Sequence, residues 1–136
     1  MATWDDVRRI ANSLPDVIEE PSHGLPAWKV HKAGLFVWER PLRRTDLEAL
    51  GDAAPEGPIL GARVAELDVK DVLISSDPAV YFTTPHFDGY PAILVRLNVI
   101  EAAELEELII EAWLCRAPKR LVKQWEAEAK RGTDAL

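Results

Sequence analysis

Apolar residues recur at helical spacing in some stretches of the chain and cluster as strand-like runs in others. Trp4, Val7, Ile10, Ala11 and Leu14 share one helical face, and Thr3 with Asp6 has the spacing of a capping box, which predicts a helix from Trp4 to Leu14. Pro15 ends it, and Asp16 to Pro21 reads as an acidic connection tethered by Val17 and Ile18. Trp28 to His31 and Leu35 to Arg40 are rich in aromatic and β-branched residues and flank Lys32-Ala33-Gly34, a hairpin pattern. After Pro41, Thr45-Asp46-Leu47-Glu48 has the form of a helix start, with Gly51 as its stop. Asp52 to Pro58 is a loop leading to a third strand, Ile59 to Ala65. Asp68 to Ser75 has Val69, Val72 and Leu73 at helical spacing, and the last strands are Ala79 to Thr84 and Ala92 to Leu97. Glu101 to Arg116 carries the strongest helical period, and Pro118 opens a final helix through Lys130 with Leu121, Val122, Trp125 and Ala129 inward and Gly132 as its stop.

This order implies an α+β fold, with an antiparallel sheet of about five strands packed against helices. At 136 residues the chain suits a single domain, residues 1–136. The segment Thr83-Thr84-Pro85-His86-Phe87-Asp88-Gly89-Tyr90-Pro91 stands between two apolar runs and reads as a shaped loop joining neighbouring strands.

Charge changes the picture more than composition does. The net charge is -7, and residues 51–116 carry most of the acidity. Proteins that bind nucleic acid normally present a basic footprint, so any such binding here must come from a local patch. The lone Cys115 cannot form an intramolecular disulfide and falls on an apolar helix stripe, as a buried thiol would. No apolar run approaches the ~20 residues of a membrane span, and the N-terminus lacks the pattern of a signal peptide. A cytoplasmic protein with no membrane association, and a monomer, is expected.

The chain carries little of the usual catalytic vocabulary. His23, His31 and His86 share no metal-ligand spacing, no nucleophile elbow occurs, and the scattered glycines form no phosphate or dinucleotide loop. We therefore expect no metal, no cofactor and no catalytic residues. His86 and Asp88 are the one pairing suited to acid-base work, but Asp88 equally suits a turn with Gly89 and Tyr90. Trp28, Phe87 and Tyr90 are candidate stacking surfaces or simple apolar cover.

Lys119 and Arg120, with Lys123 a turn later, stand at a helix start, where the free amides favour anions and disfavour cations. That opposition points to an anion held there, or to carboxylates nearby. Lys29, Arg40, Arg63 and Arg96 supply one cation to each of four candidate strands and would form a basic stripe if they share the sheet's open face.

Trp4-Asp5-Asp6-Val7-Arg8-Arg9-Ile10 with Leu14-Pro15, His23-Gly24-Leu25-Pro26-Ala27-Trp28-Lys29-Val30, the Thr83 to Pro91 loop, Leu94-Val95-Arg96-Leu97, and Ala112-Trp113 with Ala117-Pro118-Lys119-Arg120-Leu121 closely resemble the MmcQ/YjbR family, in order and over nearly the whole chain. The resemblance implies a compact α+β fold with an antiparallel sheet, similar to the secretion-chaperone-like fold. It also implies a DNA-binding label resting on a double-wing arrangement. Two functions are expected on these grounds. One is a weak, salt-sensitive nucleic-acid-binding or regulatory module using Lys29, Arg96, Lys119, Arg120 and Lys123, with Trp28 or Tyr90 for stacking. The other is a non-catalytic binding domain for an anionic small molecule or protein partner, with His86, Asp88 and Tyr90 close to the Lys119 helix start.

Overall fold

The computed structural model describes residues 1–134. Helix α1 (Trp4–Asn12) begins at the expected capping box: the Asp6 backbone N–H donates to Thr3 Oγ1, and the Thr3 N–H donates back to the Asp6 carboxylate at 2.9 Å. Strands β1 (Val17–Glu19), β2 (Ala27–Val30) and β3 (Gly34–Glu39) come next as an antiparallel meander. After α2 (Arg44–Leu50) come β4 (Ile59–Arg63), α3 (Leu67–Ser76), β5 (Tyr81–Phe82) and β6 (Ala92–Arg96). Helices α4 (Ala102–Arg116) and α5 (Lys119–Asp134) close the order.

The six strands form one open antiparallel sheet, ordered β1-β2-β3-β4-β6-β5. The extra strand relative to expectation is β1, where the sequence pattern suggests an acidic connection. Its Val17 pairs with Val30 and its Glu19 with Trp28. Helix α2 starts at Arg44, ahead of the expected Thr45 cap, because Asp46 accepts the Arg43 N–H at 2.8 Å. Helix α5 runs past Gly132 to Asp134.

The register fixes what each face of the sheet carries. Val37, Ala62 and Ile93 lie on one face, and Trp38, Gly61 and Leu94 on the other. Between β2 and β3 the register slips by one: Trp28 pairs with Val37 but Lys29 with Leu35, leaving Phe36 as the extra residue of a bulge. Phe36 and Val37 are both fully buried on the first face as a result, while Leu35 and Trp38 turn to the second.

Helices α1, α4 and α5 cover the first face. Trp28, Val30, Leu60, Ile93 and Val95 of the sheet pack there with Val7, Ile109 and Trp113 of the helices. The Trp113 indole N–H donates to Pro15 O at 3.1 Å and its ring tilts against Trp125 at 5.4 Å. The second face has only a small cluster, Ile59, Phe82, Phe87, Ala92 and Leu94, with Trp38, Leu42 and Leu50 at its margin. Its cover is loops and the short helix α2, whose Leu50 packs on this cluster, and α3 flanks it at the β5–β6 edge.

In α3 the apolar residues at helical spacing do not share one buried face. Val69 and Val72 are exposed, whereas Leu73, Ile74 and Lys70 face the protein. A lysine outside the apolar pattern is buried instead, and that lysine holds the Thr83–Pro91 loop.

Candidate functional site: an arginine-lined cleft on the open face

On the second face of the sheet lies a cleft of about 580 Å³, within the ~300–1,000 Å³ typical of small-molecule sites. Its apolar parts come from Leu25, Leu35, Trp38, Leu42 and Phe87. Four arginines, Arg40, Arg43, Arg63 and Arg116, line it with His23 and His86, against a single carboxylate, Glu39. A chain of net charge -7 thus gathers cations at this hollow.

Each rim has a local cause. On one side, Ser22 and Leu25 exchange two backbone hydrogen bonds around His23 and Gly24, both at positive φ, and this tight turn projects His23 to the cleft. On the other side, the Thr83–Pro91 loop is built from two turns. Pro85 to Phe87 form a single 3₁₀ turn, and Phe87 to Tyr90 form a type II turn, with Asp88 at φ -59°, ψ 129° and Gly89 at φ 74°. A residue with a β-carbon is strained at that φ, which is why glycine stands at 89.

Lys70 anchors this loop from behind. Its ammonium is buried and donates to Phe87 O at 2.7 Å and Tyr90 O at 3.2 Å. Burial holds its pKa below the ordinary lysine value, while the Asp88 and Asp71 charges act in the opposite sense.

The arginines are oriented rather than floating. Arg40 is nearly fully buried, pairs with Asp46 at 3.0 Å, donates to Pro41 O, and lies 5.3 Å from the Phe87 ring centroid. Burial pushes the Asp46 carboxyl up, but the Arg43 N–H and the Arg40 guanidinium outweigh it and hold the pKa below its usual value. Arg63 donates to the Tyr90 hydroxyl at 3.0 Å and lies 5.1 Å from that ring. Arg116, at the end of α4, donates through Nε to Leu35 O at 3.1 Å. Arg40 is consumed by its carboxylate. Among the described residues Arg43, Arg63 and Arg116 have no carboxylate partner within 4 Å.

The floor depends on a glycine. A β-carbon at Gly61 would stand 2.4 Å from Trp38 Cε2, so the indole rests directly against the β4 backbone.

The residues singled out in the sequence divide. His86 and Tyr90 line the cleft, with the His86 ring edge-on to Phe87 at 4.8 Å. Asp88 is exposed, and among the described residues it makes no hydrogen bond or ion pair with His86, so the acid-base pairing is not assembled. Trp28 is fully buried and donates its indole N–H to Glu19, so it is a core residue and offers no stacking face. Lys29 shares the second face by register but pairs with Glu20 at 2.7 Å. Arg96 shares it too, and is spent on Pro78 O and the Phe82 ring. The basic stripe therefore condenses to Arg40 and Arg63.

Lys119, Arg120 and Lys123 are exposed on α5 and line neither the cleft nor the smaller hollow, which is bounded by Tyr81, Glu104, Glu107 and Cys115. The cation that α4 and α5 contribute to the cleft is Arg116, just before the Ala117-Pro118 break. Sequence reading missed Arg43 and Arg116. Burial raises the Cys115 thiol pKa, which disfavours the reactive thiolate. Among the described residues no cluster of three His, Cys, Asp or Glu has metal-binding proximity, and no helix is long and apolar enough to cross a membrane.

Fold and cleft together define an α+β protein with an open antiparallel sheet and a cationic, ligand-sized hollow on its less covered face. The chain is 54% identical over 132 residues to the uncharacterised proteins Rv2570 of Mycobacterium tuberculosis and Mb2600 of Mycobacterium bovis, covering 95% of this chain and 99% of each relative. It belongs to the family of these mycobacterial proteins. No family model matches the chain. Among solved structures, Deinococcus radiodurans protein DR2400, a DUF419 domain, superposes with a TM-score of 0.66 at 19% identity, over 91% of this chain and 88% of that one, and so shares the fold.

Proposed function

We propose that this chain is a non-catalytic binding module for a small anionic ligand, and that the cleft between β3, β4 and the Thr83–Pro91 loop is its site. One observation carries the reading: three arginines without carboxylate partners converge on an apolar-floored cleft in a strongly acidic chain. Like charges held together in a half-buried space repel, and an anion offsets that repulsion more strongly there than in open water.

The test is a thermal-shift panel of simple anions at low ionic strength, in the wild type and in Arg63→Ala/Arg116→Ala. An anion at ~100 times its Kd stabilises by about 2.7 kcal/mol. A shift in the wild type that is lost in the double variant is expected. Absence of any shift across phosphate, sulfate and citrate overturns the reading.

We further propose membership of the MmcQ/YjbR family. The motif resemblance supports it, as does the shared fold with a DUF419 domain, since DUF419 sits in the MmcQ/YjbR-like superfamily. Nucleic-acid binding has narrower support: the exposed Lys119, Arg120 and Lys123 on α5. Low-salt anisotropy with duplex and single-stranded DNA tests it. Salt-sensitive binding abolished by Lys119→Glu/Arg120→Glu would favour that surface over the cleft.

A further inference from the structure

The cleft's fixed groups narrow the chemistry of its ligand beyond negative charge, given that the cleft is the anion site proposed for it. Arg63 leaves β4 at the end where Leu35 opens β3: Val37 pairs with Ala62, so Arg63 stands diagonally across from Leu35, whose carbonyl holds Arg116. Two guanidiniums thus line the cleft from different elements, one tethered by the Tyr90 hydroxyl and one by Leu35 O. Arg63 is held through Nη1 and Arg116 through Nε, so each keeps further N–H groups uncommitted. A carboxylate offers its oxygens in one plane and is satisfied by a single guanidinium fork. A phosphate monoester offers three terminal oxygens in a tetrahedral array and about two negative charges, which suits two forks arriving from different directions.

The other end is flat and apolar. Trp38 lies against Gly61, and Leu42 belongs to the same apolar cluster. The indoles of Trp28 and Trp113 both donate hydrogen bonds, to Glu19 and Pro15, whereas Trp38 Nε1 has no partner among the described residues. An aromatic surface kept at the floor of a cleft, with a spare donor on its edge, fits a flat heteroaromatic body.

We propose that the cleft takes a phosphate monoester bearing a flat aromatic group, of the size of a nucleoside monophosphate, with the phosphate between Arg63 and Arg116 and the ring against Trp38. The experiment is calorimetric titration of the full chain at low salt with four probes: inorganic phosphate, phenyl phosphate, adenosine monophosphate and benzoate. Phenyl phosphate and adenosine monophosphate should bind at least tenfold more tightly than inorganic phosphate, and benzoate at least tenfold more weakly than phenyl phosphate. Trp38→Leu should remove the aromatic advantage and leave inorganic phosphate binding within about twofold. Arg116→Ala should weaken both phosphate monoesters tenfold or more, with Arg116→Lys intermediate, and the far-ultraviolet spectrum of each variant checks that it is folded. If phosphate binds but the aromatic group adds nothing, or Trp38→Leu changes nothing, this inference fails and the anion site stands. Equal binding of benzoate and phenyl phosphate overturns the phosphate preference in the same way. If none of the four probes binds, the proposed ligand class is wrong, and the citrate and sulfate arms of the anion panel decide separately whether the site itself is wrong.

Discussion

The two faces of the sheet are held by different physics. The helix-covered face is an ordinary apolar core, in which Trp28, Phe36, Ile93 and Trp113 are fully buried among helices α1, α4 and α5. The cleft face buries little apolar surface and is tied together by charged groups instead: Arg40 on Asp46, Lys70 on two loop carbonyls, Arg116 on a strand carbonyl. An apolar core is non-directional and tolerates exchange of similar volumes. Directional ties fix groups in place but fail abruptly when one partner is lost, because the other is left buried and unsatisfied. Stability therefore resides mainly on one side of the sheet and precision on the other.

The sharpest contrast comes from deleting one anchor on each face. Trp113→Ala should destabilise by about 4 kcal/mol, through lost burial and a cavity, as measured by urea unfolding, while the cleft side chains in surviving molecules stay in place. Asp46→Asn should cost about 3 kcal/mol at neutral pH, because it leaves Arg40 buried beside a neutral amide.

The second loss should depend on pH. The Asp46 pKa is lowered below its ordinary 3.8 in the folded protein, so its contribution is complete above that value and disappears as pH falls through the folded-state pKa. Unfolding of wild type and variant at pH 7 and pH 2.5 should show the gap closing in acid. A gap that persists at low pH would mean that packing, not charge, is what Asp46 contributes.

Lys70→Met should cost less overall, about 1–2 kcal/mol, since the lost hydrogen bonds are partly offset by no longer burying an ammonium. Its effect should be local. Amide exchange at Phe87 and Tyr90 should accelerate by tenfold or more while the β2–β3 amides are unchanged, and uniform acceleration would show that the loop and the core unfold as one unit. Smallest of all, Lys119→Glu/Arg120→Glu should change stability by no more than about 0.5 kcal/mol, as expected for an exposed surface. It should leave anion binding in the cleft unaltered, and a loss of cleft binding would bring α5 into the site after all.

Much of the covered face can be read from the chain. Thr3 and Asp6 announce α1, and the period of Leu105, Leu108, Ile109, Ala112 and Trp113 announces α4 because these residues face one apolar layer. Strand β1 is hidden because it is three residues long, exposed along most of its length, and stabilised by pairing with Ala27–Val30 rather than by its own pattern. The cleft is harder to read for a related reason. Its arginines come from β4, α4 and the segment after β3, and no spacing along the chain signals that Arg63 and Arg116 line one cleft. Local rules read Lys119 at a helix start as the cation to watch, while the tertiary fold uses Arg116, three residues earlier. Lys70 misleads in the opposite way: hydropathy favours Val69 and Val72 for the interior, yet both are exposed and the helix turns Lys70 inward, where it adds a second donor to the Phe87 and Tyr90 carbonyls.

The bulge at Phe36 has a further consequence, in the history of the gene rather than in the packing. A strand that alternates strictly assigns each residue to a face by counting in twos, and the extra residue in β3 breaks that count once. Upstream of Phe36 the assignment is offset by one relative to downstream. Loss of a single codon there would leave Val37 and Trp38 where they are while forcing the preceding segment either to pair out of step or to shift its hairpin with β2. Relatives that keep the cleft should accordingly keep the spacing between Leu35 and Trp38, even where the residues themselves differ, and length changes should accumulate instead in the segment 51–58 between α2 and β4.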